Sequence, residues 1–98
     1  MELKNSRTEE VLKKAFAREL NARARYIFYA NTARQQELRQ VADIFESTAV
    51  NEAEHAGHEF TYLGGAPDTI ANLEQAIIRE FEEANKLYPE AADIAREE

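Results

Sequence analysis

The chain has 98 residues, with 19 acidic against 12 basic side chains, a formal charge of -7 and no cysteine. That length holds one domain, and the missing thiols exclude a disulfide framework, a thiolate zinc site, a rubredoxin-type iron centre and a thiol nucleophile. The acidic balance argues against a nucleic-acid partner, and no apolar run is long enough to span a membrane. The segment Met1–Arg7 lacks the apolar core of a secretory signal, so a cytoplasmic protein is expected. Hydrophobic residues make up 44% of the chain, enough for a folded core.

The first helix is expected to begin near Ser6–Thr8. Ser6-Arg7-Thr8-Glu9 fits a capping box, in which Ser6 accepts from a free backbone N–H and Glu9 reaches back. From Met1 to Ala56 there is no glycine or proline. Apolar residues recur at helical spacing, as Leu12, Phe16, Leu20, Ile27 and Ala30, then Val41, Ile44, Phe45, Thr48 and Ala49. No run alternates with period two, so the fold class is all-α. One helix from Ser6 to Leu63 would be about 85 Å long, too long for a globular domain. A hairpin is therefore expected near the polar stretch Arg34-Gln35-Gln36-Glu37. Leu63-Gly64-Gly65-Ala66-Pro67-Asp68-Thr69 is the clearest break, with an N-cap in Asp68 or Thr69. A further helix runs from about Ile70 to the chain end, and Pro89 should kink it.

The informative residues are charged ones at core positions. Glu19 lies on the stripe Leu12, Phe16, Glu19, Arg23, Tyr26, Ala30. Glu52 lies on the stripe Phe45, Thr48, Glu52, His55, Glu59. Glu80 lies on the stripe Leu73, Ile77, Glu80, Ala84, Leu87, with Glu83 one turn further on. Carboxylates rarely enter a bundle unless something pairs with them. A turn between residues 35 and 36 sets Glu19 level with Glu52, and a turn at Ala66 sets Glu52 level with Glu80. Such a layer repels itself and takes up protons unless a cation joins it.

Glu52 and His55 form a Glu-x-x-His pair on one helical face, the pattern of di-iron and di-manganese carboxylate bundles. Oxygen ligands with one imidazole suit iron or manganese, with zinc a possible substitute. Glutamate is abundant here, 16 of 98 residues, so Glu-x-x-His alone is weak. The agreement of three stripes is what favours a metal over solvated helix faces. His58 reads as a surface residue or as a neighbour of the site. Tyr26 and Tyr88 lie on or near the carboxylate faces, where core packing is the plain alternative.

These residues resemble the rubrerythrin family. The first helix carries Lys13-Lys14-Ala15-Phe16-Ala17-Arg18-Glu19, Ala22, Arg25-Tyr26 and Phe28-Tyr29-Ala30. The second carries Ile44-Phe45-Glu46 and Asn51-Glu52-Ala53-Glu54-His55-Ala56. The third carries Asn72-Leu73, Glu80, Glu83, Leu87-Tyr88-Pro89-Glu90 and Ile94-Ala95-Arg96-Glu97-Glu98. The resemblance covers nearly the whole chain. It implies a ferritin-like helical bundle with a non-haem di-iron centre that reduces hydrogen peroxide in oxidative stress. By motif, Glu19 would be a terminal iron ligand, Glu52 a bridging one and His55 the imidazole. Glu80 and Glu83 would be the third helix's ligands, and Tyr26 and Tyr88 would line the site and hydrogen-bond its carboxylates.

Three departures from the family pattern matter. The cysteine-rich rubredoxin domain that usually feeds such a centre is not in this sequence, so electrons would come from an external, rubredoxin-like donor. Glu37 stands where the family usually has Gly, at the end of the first helix. The fourth helix with a second Glu-x-x-His has no counterpart here. A fragment, or a chain completed by a partner segment, is therefore expected: a single, partial domain over 1–98. The six residues Gly64–Thr69 reach at most about 20 Å, whereas a 25-residue helix is about 37 Å long. They cannot make the long crossover of a ferritin-like bundle. The third helix either folds straight back or packs on another copy, and a domain-swapped homodimer is the favoured reading. Ferroxidase or iron-storage activity, with oxygen as oxidant, and a metal-free dimerisation module are the alternatives.

Overall fold

A computed structural model describes residues 2–98. Among them every regular element is helical, and no helix is long and apolar enough to cross a membrane. The chain divides into two compact units, Met1–Gly65 and Ala66–Glu98.

In the first unit, α1 spans Arg7–Gln35 and α2 spans Arg39–Tyr62. The Ser6 hydroxyl caps α1, accepting from the Glu9 N–H at 3.0 Å. The return bond differs from the expected box: the Glu9 carboxylate accepts from the Asn5 N–H at 3.2 Å. Asn5 has φ 62, which turns that N–H toward the helix end.

The turn lies at Gln36–Leu38, slightly later than expected, and Arg34 and Gln35 still belong to α1. It closes as a Schellman motif. The Leu38 N–H donates to the Ala33 carbonyl at 2.8 Å, and the Glu37 N–H donates to the Arg34 carbonyl at 3.0 Å. That motif requires a left-handed residue, and Glu37 takes the role with φ 63. The end of α2 repeats the design with glycine. The Gly65 N–H donates to the Phe60 carbonyl at 2.9 Å and the Gly64 N–H to that of Thr61 at 3.0 Å, with Gly64 at φ 77. A Cβ at Gly65 would run into the Phe60 ring.

The two helices pack as an antiparallel pair along a seam of small side chains. The buried residues are Ala30 and Ala33 of α1 and Ala42, Ala49 and Ala56 of α2. Those on α2 recur every seven residues, which keeps them on one face. Aromatic side chains close the edges: Phe16 stacks on Phe60 with ring centroids 5.0 Å apart. Phe45 lies 6.1 Å from Tyr26 and 5.4 Å from Tyr29. Arg34 spans the turn, with ion pairs to Asp43 at 3.2 Å and Glu46 at 2.6 Å. These partners raise its pKa further, the Glu46 hydrogen bond most.

Leu20, Val41 and Ile44, part of the periodic apolar pattern, are exposed. A helix pair has a single seam, and the alanines occupy it.

In the second unit, α3 spans Thr69–Glu82 and α4 spans Tyr88–Glu97, joined without a break by a π turn at Glu83–Leu87. Asp68 is the N-cap, accepting from the Ala71 N–H at 2.8 Å. Pro89 sits in the first turn of α4. It has no N–H and its ring crowds the carbonyl four residues back. The widened turn just before it, with the Tyr88 N–H bonded to the Glu83 carbonyl, accommodates that ring. The helix is re-spaced there, which is the form the expected disturbance takes.

Candidate metal centre

Glu19 projects from the middle of α1, and Glu52 and His55 from adjacent turns of α2. One carboxylate oxygen of each glutamate and one imidazole nitrogen all lie within 4.8 Å of one another. Two ligand atoms on one first-row ion, each at about 2.1 Å, are at most about 4.2 Å apart. Small side-chain rotations therefore bring this group to binding distance. Hairpin geometry explains the meeting, since Glu19 and His55 are equidistant from Glu37 at the turn.

Glu19 and Glu52 are half-buried and His55 is exposed. The Glu19 Oε2 atom is buried without a hydrogen-bond partner, and so is Oε2 of Glu59. A buried, unpaired carboxylate oxygen costs about 1–3 kcal/mol or more, and a cation removes that cost. The fit to a metal thus rests on donor chemistry and on these orphaned oxygens.

Glu59 joins the cluster without having been a candidate ligand. Burial pushes its carboxyl above the usual range, and the adjacent Glu19 carboxyl adds to the effect; Glu52 acts in the same direction and His55 opposes it. Its signal was present in the sequence, since Glu59 shares the stripe with Glu52 and His55. His58 is exposed and lies outside the group.

An open cleft of about 390 Å³ runs beside the cluster, lined by Ala15, Arg18, Glu19, Ala22, Tyr26 and Glu52. Tyr26 borders the two carboxylates there, and its ring lies against Phe45 and Tyr29.

The other candidate residues, Glu80, Glu83 and Tyr88, belong to the second unit. Glu80 is exposed and Glu83 half-buried. The Tyr88 hydroxyl donates to Oε2 of Glu83 at 3.3 Å. The Glu83 charge, and then this hydrogen bond, hold the phenol above its ordinary pKa. This is a tyrosine-to-carboxylate hydrogen bond within the second unit, on an exposed stretch of helix.

Two carboxylates and an imidazole brought together by antiparallel helices define the class: an all-α carboxylate–histidine protein of ferritin-like type. The rubrerythrin family profile matches residues 10–98. The chain belongs to the rubrerythrin family. It is 39% identical to rubrerythrin of Clostridium perfringens over 98% of its length, covering 58% of that protein. It is also 39% identical to rubrerythrin of Nitratidesulfovibrio vulgaris, covering 57% of that protein. Nigerythrin of the same organism is 34% identical over 93% of this chain and 52% of its own length. The chain thus spans little more than half the length of these relatives. The match to the Clostridium perfringens protein runs over 113 aligned positions, 15 more than the 98 residues of this chain. That relative therefore carries residues within the matched span that have no counterpart here. No solved structure matches. The rubrerythrin family is one of di-iron carboxylate proteins, and the Glu19, Glu52 and His55 group is a carboxylate–histidine set of that kind.

Proposed function

We propose that the protein is a cytoplasmic, non-haem di-iron peroxidase of rubrerythrin type, which reduces hydrogen peroxide to water with electrons from an external donor such as a rubredoxin-like protein. The observation that carries the reading is the convergence of Glu19, Glu52 and His55, with a carboxylate oxygen of Glu19 buried and without a hydrogen-bond partner. Glu19, Glu52 and His55 would help to hold iron, and a pair of ferrous ions would supply the two electrons that reduction of peroxide takes up.

The protein's own groups do the rest. Glu19 and Glu52 offer carboxylate oxygens from a half-buried layer, and His55 offers an imidazole nitrogen from the exposed side. Glu59 holds a proton beside Glu19 at pH values where a free carboxyl has lost it. Tyr26 is positioned to orient the carboxylates from the cleft, and Tyr88 does so for Glu83. Glu80 and Glu83 are the further ligands that the family motif names, and a homodimer with an exchanged third helix would bring them.

The test is anaerobic reconstitution with ferrous iron, followed by oxidation with peroxide or with oxygen. Faster oxidation by peroxide, with no mineral formed, is the expected result. Preference for oxygen with growth of a ferric core would make the protein a ferroxidase. Absence of bound iron, with Glu19→Ala and Glu52→Ala both raising stability, would leave a metal-free dimerisation module.

A further inference from the structure

Basic charge is gathered on one side of α1. Successive helical residues turn by about 100°, so separations of about 7, 11 and 18 residues return to within about 20° of the starting direction. Arg7, Lys14, Arg18 and Arg25 stand at those separations. They form a stripe about 27 Å long on a single face. All four are exposed, and among the described residues none of them takes part in an ion pair. The acidic residues of α1, Glu9, Glu10 and Glu19, all lie off the stripe. In a chain with 19 acidic against 12 basic side chains, this is a local reversal of sign.

The stripe also runs past the candidate metal centre. Arg18 lines the open cleft together with Glu19, Tyr26 and Glu52. Lys14 stands one turn before it and Arg25 two turns after.

We propose that this stripe is the docking surface for the external electron donor, and that the donor is a small protein with an acidic face around its redox centre. The proposal rests on the peroxidase reading above, and it names the place and the charge of the partner that reading requires. Each encounter passes one electron and leaves the donor oxidised. Two encounters supply the two electrons that one peroxide, with two protons from solvent, takes up in becoming two waters.

Two observations select this occupant. The first is charge complementarity. Four unpaired cations in a row attract an acidic face, and weak redox encounters rely on such steering rather than on large apolar contacts. Fields of surface charges fade within about 8–10 Å at ordinary salt. A compact partner seated on α1 therefore senses the stripe and not the acidic residues on the far faces. The second observation is position. A donor held by Lys14, Arg18 and Arg25 sits at the mouth of the cleft that leads to Glu19 and Glu52, so docking and electron delivery fall at one place.

The test has two arms, both with a reduced or oxidised rubredoxin of net negative charge as the probe. In the first, isotope-labelled, iron-free chain is titrated with the oxidised probe at low salt. Amide shifts should follow the α1 stripe and vanish at about 300 mM salt. In the second, the ferric protein is mixed with the reduced probe in a stopped-flow spectrometer. Lys14→Glu with Arg25→Glu, which leaves Arg18 and every candidate ligand in place, should slow reduction about tenfold at low salt and flatten its salt dependence. Arg39→Glu, an exposed reversal at the start of α2, should change the rate less than about twofold. A small uncharged hydroquinone should reduce all variants at the wild-type rate. Equal slowing by Arg39→Glu, or amide shifts away from the stripe, would overturn the proposal. Loss of a dimer in the double variant would assign the stripe to a second copy and overturn it as well. A chain that takes up no iron would refute the peroxidase reading, while the titration would still decide whether an acidic protein docks on α1.

Discussion

Glu37→Gly should stabilise the protein although it removes a side chain and adds no contact. Glu37 is the left-handed residue of the Schellman turn between α1 and α2, at φ 63. Its side chain is exposed and takes part in no hydrogen bond or ion pair among the described residues. A left-handed conformation costs an L-residue about 1–2 kcal/mol. Glycine avoids that cost but gives the unfolded chain more freedom, offsetting about 0.4–1 kcal/mol. The balance is a gain of about 1 kcal/mol, and in a chain of this size that moves the melting midpoint up by about 4–8 °C. The end of α2 supplies an internal control, since Gly64 holds the same place in the same hydrogen-bond pattern at φ 77. Gly64→Ala should lower the midpoint by a similar amount. The assay is thermal and urea unfolding of the metal-free chain at one fixed concentration, because association shifts the midpoint. A Glu37→Gly protein no more stable than wild type, beside a neutral Gly64→Ala, would refute the reasoning.

Other expectations concern the cluster and the turn. Ferrous iron at a hundredfold excess over its dissociation constant should stabilise the folded chain by about 2.7 kcal/mol, and Glu52→Ala should abolish the shift in a calorimetric scan. In the metal-free protein the Glu59 carboxyl titrates above its unfolded value. The folded state then binds more protons, so this contribution to stability is full below the unfolded carboxylate pKa and is lost as pH rises through the folded one. Glu59→Gln should flatten that decline in a series of urea midpoints across the weakly acidic range; an unchanged slope would remove Glu59 from the cluster. Arg34→Ala, which severs exposed pairs to Asp43 and Glu46, should leave the urea midpoint nearly unchanged.

Much of the site was legible because a hairpin is a symmetrical object. Once the turn was placed near Gln36, residues at equal distances from it had to meet, and Glu19 met Glu52 and His55. The cap at Ser6 was equally plain, and that of the third helix was narrowed to Asp68 or Thr69, since a short oxygen-bearing side chain before a helical run has one common use. What the pattern could not supply was which side of each stripe faces the neighbouring helix. Successive residues turn by about 100°, so a stripe wide enough for Glu19, Phe16 and Tyr26 has two edges. Alanines took the seam, leaving Ile44 and Val41 on the surface and Glu59 inside the cluster. The π turn was hidden for another reason: Pro89 signals a disturbance, but the helix absorbed it one turn earlier, at Glu83–Leu87. The likeness to rubrerythrins implied that Glu80 and Glu83 share the centre, and those residues sit on a separate unit.

The alanine seam also acts as a caliper. Helices that touch through methyl groups approach to the short end of the range of about 8–10 Å between axes. Glutamate and histidine side chains projecting from both axes then overlap in reach. A leucine at Ala49 would wedge the axes apart and draw Glu19 away from His55, although it touches neither. The width of this apolar strip thereby sets how far the Glu19 and Glu52 carboxylates stand from the His55 imidazole. The spacing of the three polar groups is thus open to change from the dry side of the helices, one methylene at a time, with Glu19, Glu52 and His55 left in place.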